Sequence, residues 1–240
     1  MAQLFISDLH LSPQRPATIA LFLRFLRERA AQAEALYILG DLFDAWIGDD
    51  YREGPIPEIL DALHASSVGG TRLFFMHGNR DFLIGERFAA ESGCELLADP
   101  YRLELAGQAA LLMHGDLLCS DDHDYQQARR KLRDPAFIAQ MLAQPIEARL
   151  ALAADYRRRS GEATSNKAAD IMDVNQQTVA GYLRAADARL LIHGHTHRPA
   201  AHAFTLDGAP ARRIVLPDWQ PDLGGYLLLD GARMERLSFS

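Results

Sequence analysis

Five short stretches of the chain end an apolar run on side chains of the kind that hold metals. Leu4-Phe5-Ile6 leads to Asp8-Leu9-His10, and Leu36-Tyr37-Ile38-Leu39 leads to Gly40-Asp41. Leu73-Phe74-Phe75-Met76 leads to Gly78-Asn79-Arg80-Asp81, Leu111-Leu112-Met113 to His114, and Leu190-Leu191-Ile192 to Gly194-His195-Thr196-His197. Each has an ordinary reading by itself: an Asp that starts a turn or caps a helix, a turn Asn, a solvated Arg, a structural His. Five strand ends with one grammar point instead to convergence on one site. Asp8 and His10 are two apart, as are His195 and His197, so on extended strand ends each pair faces one way.

The ligand set Asp8, His10, Asp41, Asn79, His114, His195 and His197 mixes oxygen and imidazole nitrogen. That suits Mn, Fe or Zn better than Mg or Ca, and the lack of a Cys ligand argues against a structural zinc knot. With the two oxygens of Asp41 shared, seven ligands fit two cations roughly 3.5–4 Å apart. Such a pair makes a hydroxide nucleophile from a bridging water and clamps phosphoryl oxygens for in-line attack. Arg80 adds a planar cation suited to phosphate oxygens and to charge developing on the phosphoryl or leaving group. The expected chemistry is hydrolysis of a phosphoester or phosphoanhydride.

Positioning these residues takes buried parallel strands, because a carboxylate just past such a strand stands at the mouth of an α/β sheet. Between the first two strands, residues 18–33 read as a helix, with Ile19, Leu23, Leu26 and Ala30 at helical spacing. A β-α-β order with a right-handed crossover follows. An acidic loop carries Asp44, Trp46, Asp49 and Asp50; Trp46 is either a stacking surface for a base or sugar or a packing plug. Residues 56–64 read as a short helix opened by Pro57. Beyond residue 203, strands at 212–216, 225–229 and 233–239 alternate with turns at Asp207-Gly208 and Asp230-Gly231, which suggests an antiparallel second sheet or edge. The expected fold is α/β, an α+β sandwich of two packed sheets flanked by helices.

The 240 residues allow one domain with an insertion, and 48% hydrophobic and 24% charged residues are ordinary for a soluble globular protein. A net charge of −7 disfavours nucleic acid as a partner. Two cysteines give no disulfide framework, so a reducing compartment is expected. The N-terminal residues lack a signal-peptide pattern, and no run approaches the roughly 20 apolar residues of a membrane span. Asp8 to Asp41, Asp41 to Asn79 and Asn79 to His114 are 33, 38 and 35 residues, but His114 to His195 is 81. The excess marks residues 121–187 as a helical insertion within a single domain spanning 1–240. That stretch holds 10 Lys/Arg and 10 Asp/Glu, so the remainder carries the whole −7. Phe137, Ile138, Met141, Leu142, Ile146 and Leu150 form its apolar face; Arg129-Arg130-Lys131 and Arg157-Arg158-Arg159 are basic clusters. This is either a helical pair packed on the body with a solvated basic face, or a lid that takes apolar chains and leans on anionic lipid. Residues 160–167 read as a polar loop able to hold a phosphate or amide.

Together the motifs resemble the calcineurin-like metallophosphoesterase family, whose pattern is Asp-x-His, Gly-Asp, Gly-Asn-His-Asp/Glu, His and Gly-His-x-His. The resemblance spans nearly the whole chain. It implies one metal held by Asp8, His10, Asp41 and His197, and the other by Asp41, Asn79, His114 and His195. Arg80 departs from the pattern, standing where most members carry a general-acid His; a leaving group that needs no protonation is then favoured. Within the family, Gly-Asn-Arg-Asp, the run of residues 40–50 and the insertion after His114 are similar to the branch that cleaves UDP-2,3-diacylglucosamine in lipid A biosynthesis. That similarity implies two Mn²⁺, attack at the α-phosphate, and release of UMP and 2,3-diacylglucosamine 1-phosphate (lipid X). It also implies a monomer attached peripherally to the cytoplasmic face of the inner membrane. Asp41, Asn79, Arg80 and His114 would be the catalytic set, with substrate contacts from Asn79, Arg80, Asp122, Ser160, Thr164, Lys167 and His195. At position 164 a hydroxyl stands where an amide is expected. The rivals are a soluble dinucleoside polyphosphate hydrolase or phosphodiesterase of the same fold, and a non-catalytic binding scaffold.

Overall fold

The apolar runs ahead of the ligand motifs form strands buried on both faces. In the computed structural model, which describes residues 2–166 and 173–240 and side chains outside 159–166, the chain runs β1 (Gln3–Ile6), α1 (Pro16–Glu28), β2 (Ala35–Leu39), α2 (Ile56–Val68), β3 (Arg72–Met76), α3 (Glu86–Ser92) and β4 (Cys94–Leu97). It continues through β5 (Tyr101–Leu105), β6 (Gln108–Met113), α4 (His123–Leu132), α5 (Pro135–Leu142), α6 (Ile146–Asn166), α7 (Gln176–Ala185) and β7 (Leu190–His193). Two hairpins close it: β8 (Ala201–Leu206) with β9 (Ala209–Val215), and β10 (Gly224–Asp230) with β11 (Arg233–Phe239).

One sheet has the order β11-β10-β1-β2-β3-β4, the other β5-β6-β7-β9-β8. Strands β1 to β4 are mutually parallel, as are β6, β7 and β9; the antiparallel partners lie at the edges. Period-2 alternation decides the layers. On β2, Leu36 and Ile38 face α1 and α2, while Ala35, Tyr37 and Leu39 face the second sheet. Between the sheets, Phe5, Tyr37 and Phe74 stack at 4.9 and 4.6 Å between ring centroids. The outer face of the second sheet is covered by Val179 and Leu183 of α7. The result is a helix-sheet-sheet-helix sandwich.

Three expectations are corrected. The helix expected at 18–33 starts earlier, on Pro16, and ends at Glu28, followed by a 3₁₀ turn over Ala30–Gln32. The C-terminal strands do not share one sheet: β8 and β9 extend the second, whereas β10 and β11 return to the first. The crossing segment is pinned by Trp219, whose backbone N–H donates to Asp8 O, whose indole N–H donates to Gly225 O, and whose ring packs edge-on against Phe22 and Phe25. Residues 160–166 continue α6 rather than forming a loop. Lys167 lies outside the described residues, as do the side chains of Ser160 and Thr164. Within 121–187, α5 and α6 contact the helix side of the body through Ile138, Met141 and Arg149, while α7 is the helix that packs on the second sheet.

Candidate metal centre and adjoining groove

The seven ligand-type residues sit past the C-terminal ends of β1, β2 and β3 in one sheet and β6 and β7 in the other. Their backbones are not extended, as the two-apart pairs had suggested. Asp8, His10, Asp41, His195 and His197 all take left-handed φ, from 50 to 68°. Non-glycine residues pay for that conformation, and it concentrates where side chains must be aimed. Close approach of the loops needs glycine: a Cβ on Gly78 would sit 2.1 Å from Asp41 Oδ1, and one on Gly194 2.3 Å from Asp8 Oδ2.

The side chains meet. Ligand atoms of Asp8, His10 and His197 lie within 4.8 Å of one another, and so do those of Asp8, Asp41 and His114. Asp41 reaches both sides, with Oδ2 3.9 Å from His10 Nδ1 and Oδ1 3.8 Å from His114 Nε2. Asn79 Oδ1 is 3.0 Å from His114 Nε2, and His197 Nε2 is 3.4 Å from Asp8 Oδ1. His195 donates its backbone N–H to Asp8 Oδ2, and its ring lies 5.0 Å from that of His114. Two buried atoms aimed inward, Asp8 Oδ1 and His10 Nδ1, have no hydrogen-bond partner. Unpartnered buried acceptors in a mixed oxygen and nitrogen cluster fit first-row cations.

Electrostatics agree with that fit. Burial pushes Asp41 up to about 6, and burial with the His114 charge pushes His195 down to about 4. Burial likewise lowers His10 to about 4. His114 goes the other way: burial opposes its proton, but Asp41, Asp116 and Asp8 raise it to about 9. Its geometry matches an imidazolium, since Nδ1 faces Leu39 O at 2.9 Å and Nε2 faces Asn79 Oδ1. To serve as a metal ligand through Nε2, His114 would have to give up that proton. Loading of Mn²⁺ into metal-free protein at pH 7.5 is therefore expected to release about one proton, read by calorimetry in buffers of different ionisation enthalpy. Release near zero would remove His114 from the ligand set.

Several residues with positioning work carry no local signal. Asp81 accepts the backbone N–H of Gly78 (2.8 Å) and of Asp41 (3.3 Å) on one oxygen, and that of Leu42 (2.8 Å) on the other. It thereby ties the Gly-Asn loop to the Gly-Asp loop. Asp49 takes the Trp46 indole N–H and the first amides of α3. Trp46 is buried against Phe43 and Phe88, which makes it a packing plug rather than a free stacking surface.

Beside the centre lies a cavity of about 370 Å³ between α5, α6 and the loops after β2 and β3. Asn79 and Arg80 form its inner end; Phe82, Phe137, Met141 and Leu152 line its apolar length. Arg80 also lines the cavity over the ligands, together with Asp122, Tyr125 and His195. Among the described residues its guanidinium has no partner. Of the six residues expected on the apolar face only Phe137 and Met141 line the groove; Ile138, Leu142, Ile146 and Leu150 do not. Ile138 turns into the body core, and Leu142 is 39% exposed, because neighbours of Phe137 and Met141 lie about 100° around the helix. The basic clusters are partly spent inside the chain. Arg129 pairs with buried Asp116 at 2.7 Å and with Asp99, and Arg157 pairs with Asp44 at 2.6 Å. Arg149, 3% exposed, donates to Asp50 and to Ile47 O, and Arg133 to Gly78 O. The acidic loop after β2 thus anchors α6, one of the two helices that roof the groove.

A sequence model of the calcineurin-like phosphoesterase family matches residues 1–199. The chain belongs to that family. It is 52% identical over 237 residues to a UDP-2,3-diacylglucosamine hydrolase of Chromohalobacter salexigens, covering 99% of this chain and 96% of that one. Identity is 53% over 228 residues to the enzyme of the same name from Pseudomonas paraeruginosa, covering 95% and 94%. A solved archaeal phosphodiesterase shares the fold of this calcineurin-like phosphoesterase over the full length of both chains, at TM-score 0.50 and 12% identity.

Proposed function

We propose that the chain hydrolyses the pyrophosphate bond of UDP-2,3-diacylglucosamine, releasing UMP and 2,3-diacylglucosamine 1-phosphate. The observation that carries this is the groove: an apolar channel roofed by α5 and α6 that opens on Asn79 and Arg80 beside the ligand cluster. A soluble nucleotide has no use for such a channel, whereas two acyl chains do. Full-length relatives at about half identity bear the name of that activity.

In this reading Asp8, His10, Asp41 and His197 hold one Mn²⁺, and Asp41, Asn79, His114 and His195 the other. When bound, the pair supplies hydroxide at neutral pH and neutralises phosphoryl oxygens. The protein does the rest. Arg80, at the junction of groove and centre, opposes the charge that builds on the α-phosphate and on the departing 2,3-diacylglucosamine 1-phosphate. The lipid 1-phosphate leaves as a stable phosphate anion, so no general acid is needed where other members carry His. Asp122 and His195 complete the wall around the phosphates, with Ser160, Thr164 and Lys167 proposed as further contacts from the end of α6 and beyond. Residues 121–187 act as the lid, its working part being α4 to α6.

No helix among the described residues is long and apolar enough to cross a membrane. Attachment as a monomer to the anionic inner surface rests in this reading on Arg130 and Lys131, since Arg129 and Arg157 are engaged within the chain.

The test is hydrolysis of the lipid substrate in detergent with Mn²⁺, scored as UMP. Absence of UMP from metal-loaded protein, with turnover of soluble dinucleoside polyphosphates, would favour the rival hydrolase. The groove has its own test. Phe137→Ala with Met141→Ala is expected to raise KM for the diacylated substrate about tenfold or more, since each truncation removes roughly 1–3 kcal/mol of apolar contact. Unchanged KM would place the acyl chains elsewhere.

A further inference from the structure

Behind the loop that carries His195 and His197 is another cavity, of about 330 Å³, which shares Thr196 and Arg198 with the cavity over the ligands. Arg213 of β9 forms its floor; Thr196, Arg198, His202 and Asp173 line its walls. Arg213 is 4% exposed. Its guanidinium makes one hydrogen bond, Nη1 to His193 Nε2 at 3.2 Å. That nitrogen accepts, because His193 Nδ1 donates to Gly194 O at 2.9 Å. Arg213 Nε is buried without a partner, and so is Thr196 Oγ1. Among the described residues no carboxylate lies within ion-pair distance of Arg213. Asp173, the nearest acid of the cavity, is taken by Arg198 at 2.6 Å and by its own loop through Val174 N.

A buried guanidinium with no described carboxylate in ion-pair range, the nearest one being shared with Arg198, is costly to keep charged. One water does not fill this volume or neutralise this charge. From this geometry we propose that the cavity is a binding site for a phosphate-type oxyanion, held by Arg213 and Arg198 with Thr196 Oγ1 and His202 at its rim. The fork of Arg213 offers Nε and Nη2 on one edge, the arrangement that takes two oxygens of such an anion. An occupant would bridge β9 to residues 196 and 198, on either side of His197, and so brace the loop from behind. The site is separate from the groove and stands whether or not the substrate assignment does.

Inorganic phosphate titrated by calorimetry into the Mn²⁺-loaded full chain at constant ionic strength is the test. Two binding events are expected. One of them should weaken at least about tenfold in Arg213→Met and in Arg198→Gln, since each removes a charge-assisted donor; the other, at the cations, should stay in Arg213→Met. Arg198 is on the surface, so its variant carries the test if Arg213→Met does not fold. A single event untouched by both substitutions overturns the site. Phosphatidylglycerol vesicles identify the source of the anion: sedimentation with them lost in Arg198→Gln marks a lipid headgroup, and sedimentation unchanged with the phosphate event lost marks a free phosphate. Unchanged behaviour in both assays again overturns it.

Discussion

Asp41→Ala is expected to lower UMP release at least about 10³-fold at saturating Mn²⁺, the loss of some 4 kcal/mol of transition-state stabilisation. Asp41 is the carboxylate that reaches both His10 and His114, so its removal takes a ligand from each half of the centre. The melting temperature separates this from a folding defect. Burial raises the folded-state value of Asp41 from 3.8 to about 6. The folded chain therefore binds that proton more tightly than the unfolded one, and the stability linked to it is lost as pH rises through about 6. At pH 7.5 the buried carboxylate is thus a cost to metal-free protein. Against that, His114 loses part of the charge that holds its proton to about 9. These effects oppose each other, and the metal-free variant should melt within about 5 °C of metal-free wild type. The rise in Tm on adding Mn²⁺ should be absent from the variant. Turnover within tenfold of wild type would remove Asp41 from the site.

Asp81→Asn is expected to be nearly as damaging, although Asp81 is no ligand. Its two oxygens both accept from backbone amides, Gly78 and Asp41 on Oδ1 and Leu42 on Oδ2. An amide in its place keeps one acceptor and turns an NH₂ toward an N–H. With a buried donor left unpaired, a loss of about 2–4 kcal/mol follows, or roughly 5–15 °C in Tm. The loops that lose their tie carry Asp41 and Asn79, so kcat should fall more than KM rises. Ligands held by their own strands rather than by this carboxylate would show as a stable, active Asp81→Asn.

The ligand motifs were legible because they are local. A buried strand announces itself as a run such as Leu73-Phe74-Phe75-Met76, and the glycine and ligand that follow lie within four residues of it. The hairpins at Asp207-Gly208 and Asp230-Gly231 were legible for the same reason. The family followed from these motifs in combination. What the strands do with one another was not local. That β6 and β7 belong to a second sheet, so that the centre straddles two sheet edges, depends on which apolar faces meet. Nothing in the acidic loop announced that Asp50 would pair with Arg149, or Asp44 with Arg157, across about a hundred residues. Nor did the spacing of Arg129 show that it would be buried against Asp116 instead of facing outward. Ion pairs and packing are decided by distance in space, and composition leaves the partners open. The same holds for Arg213: on β9 it reads as one Arg beside another, and only the fold shows that it is buried with no described carboxylate in ion-pair range.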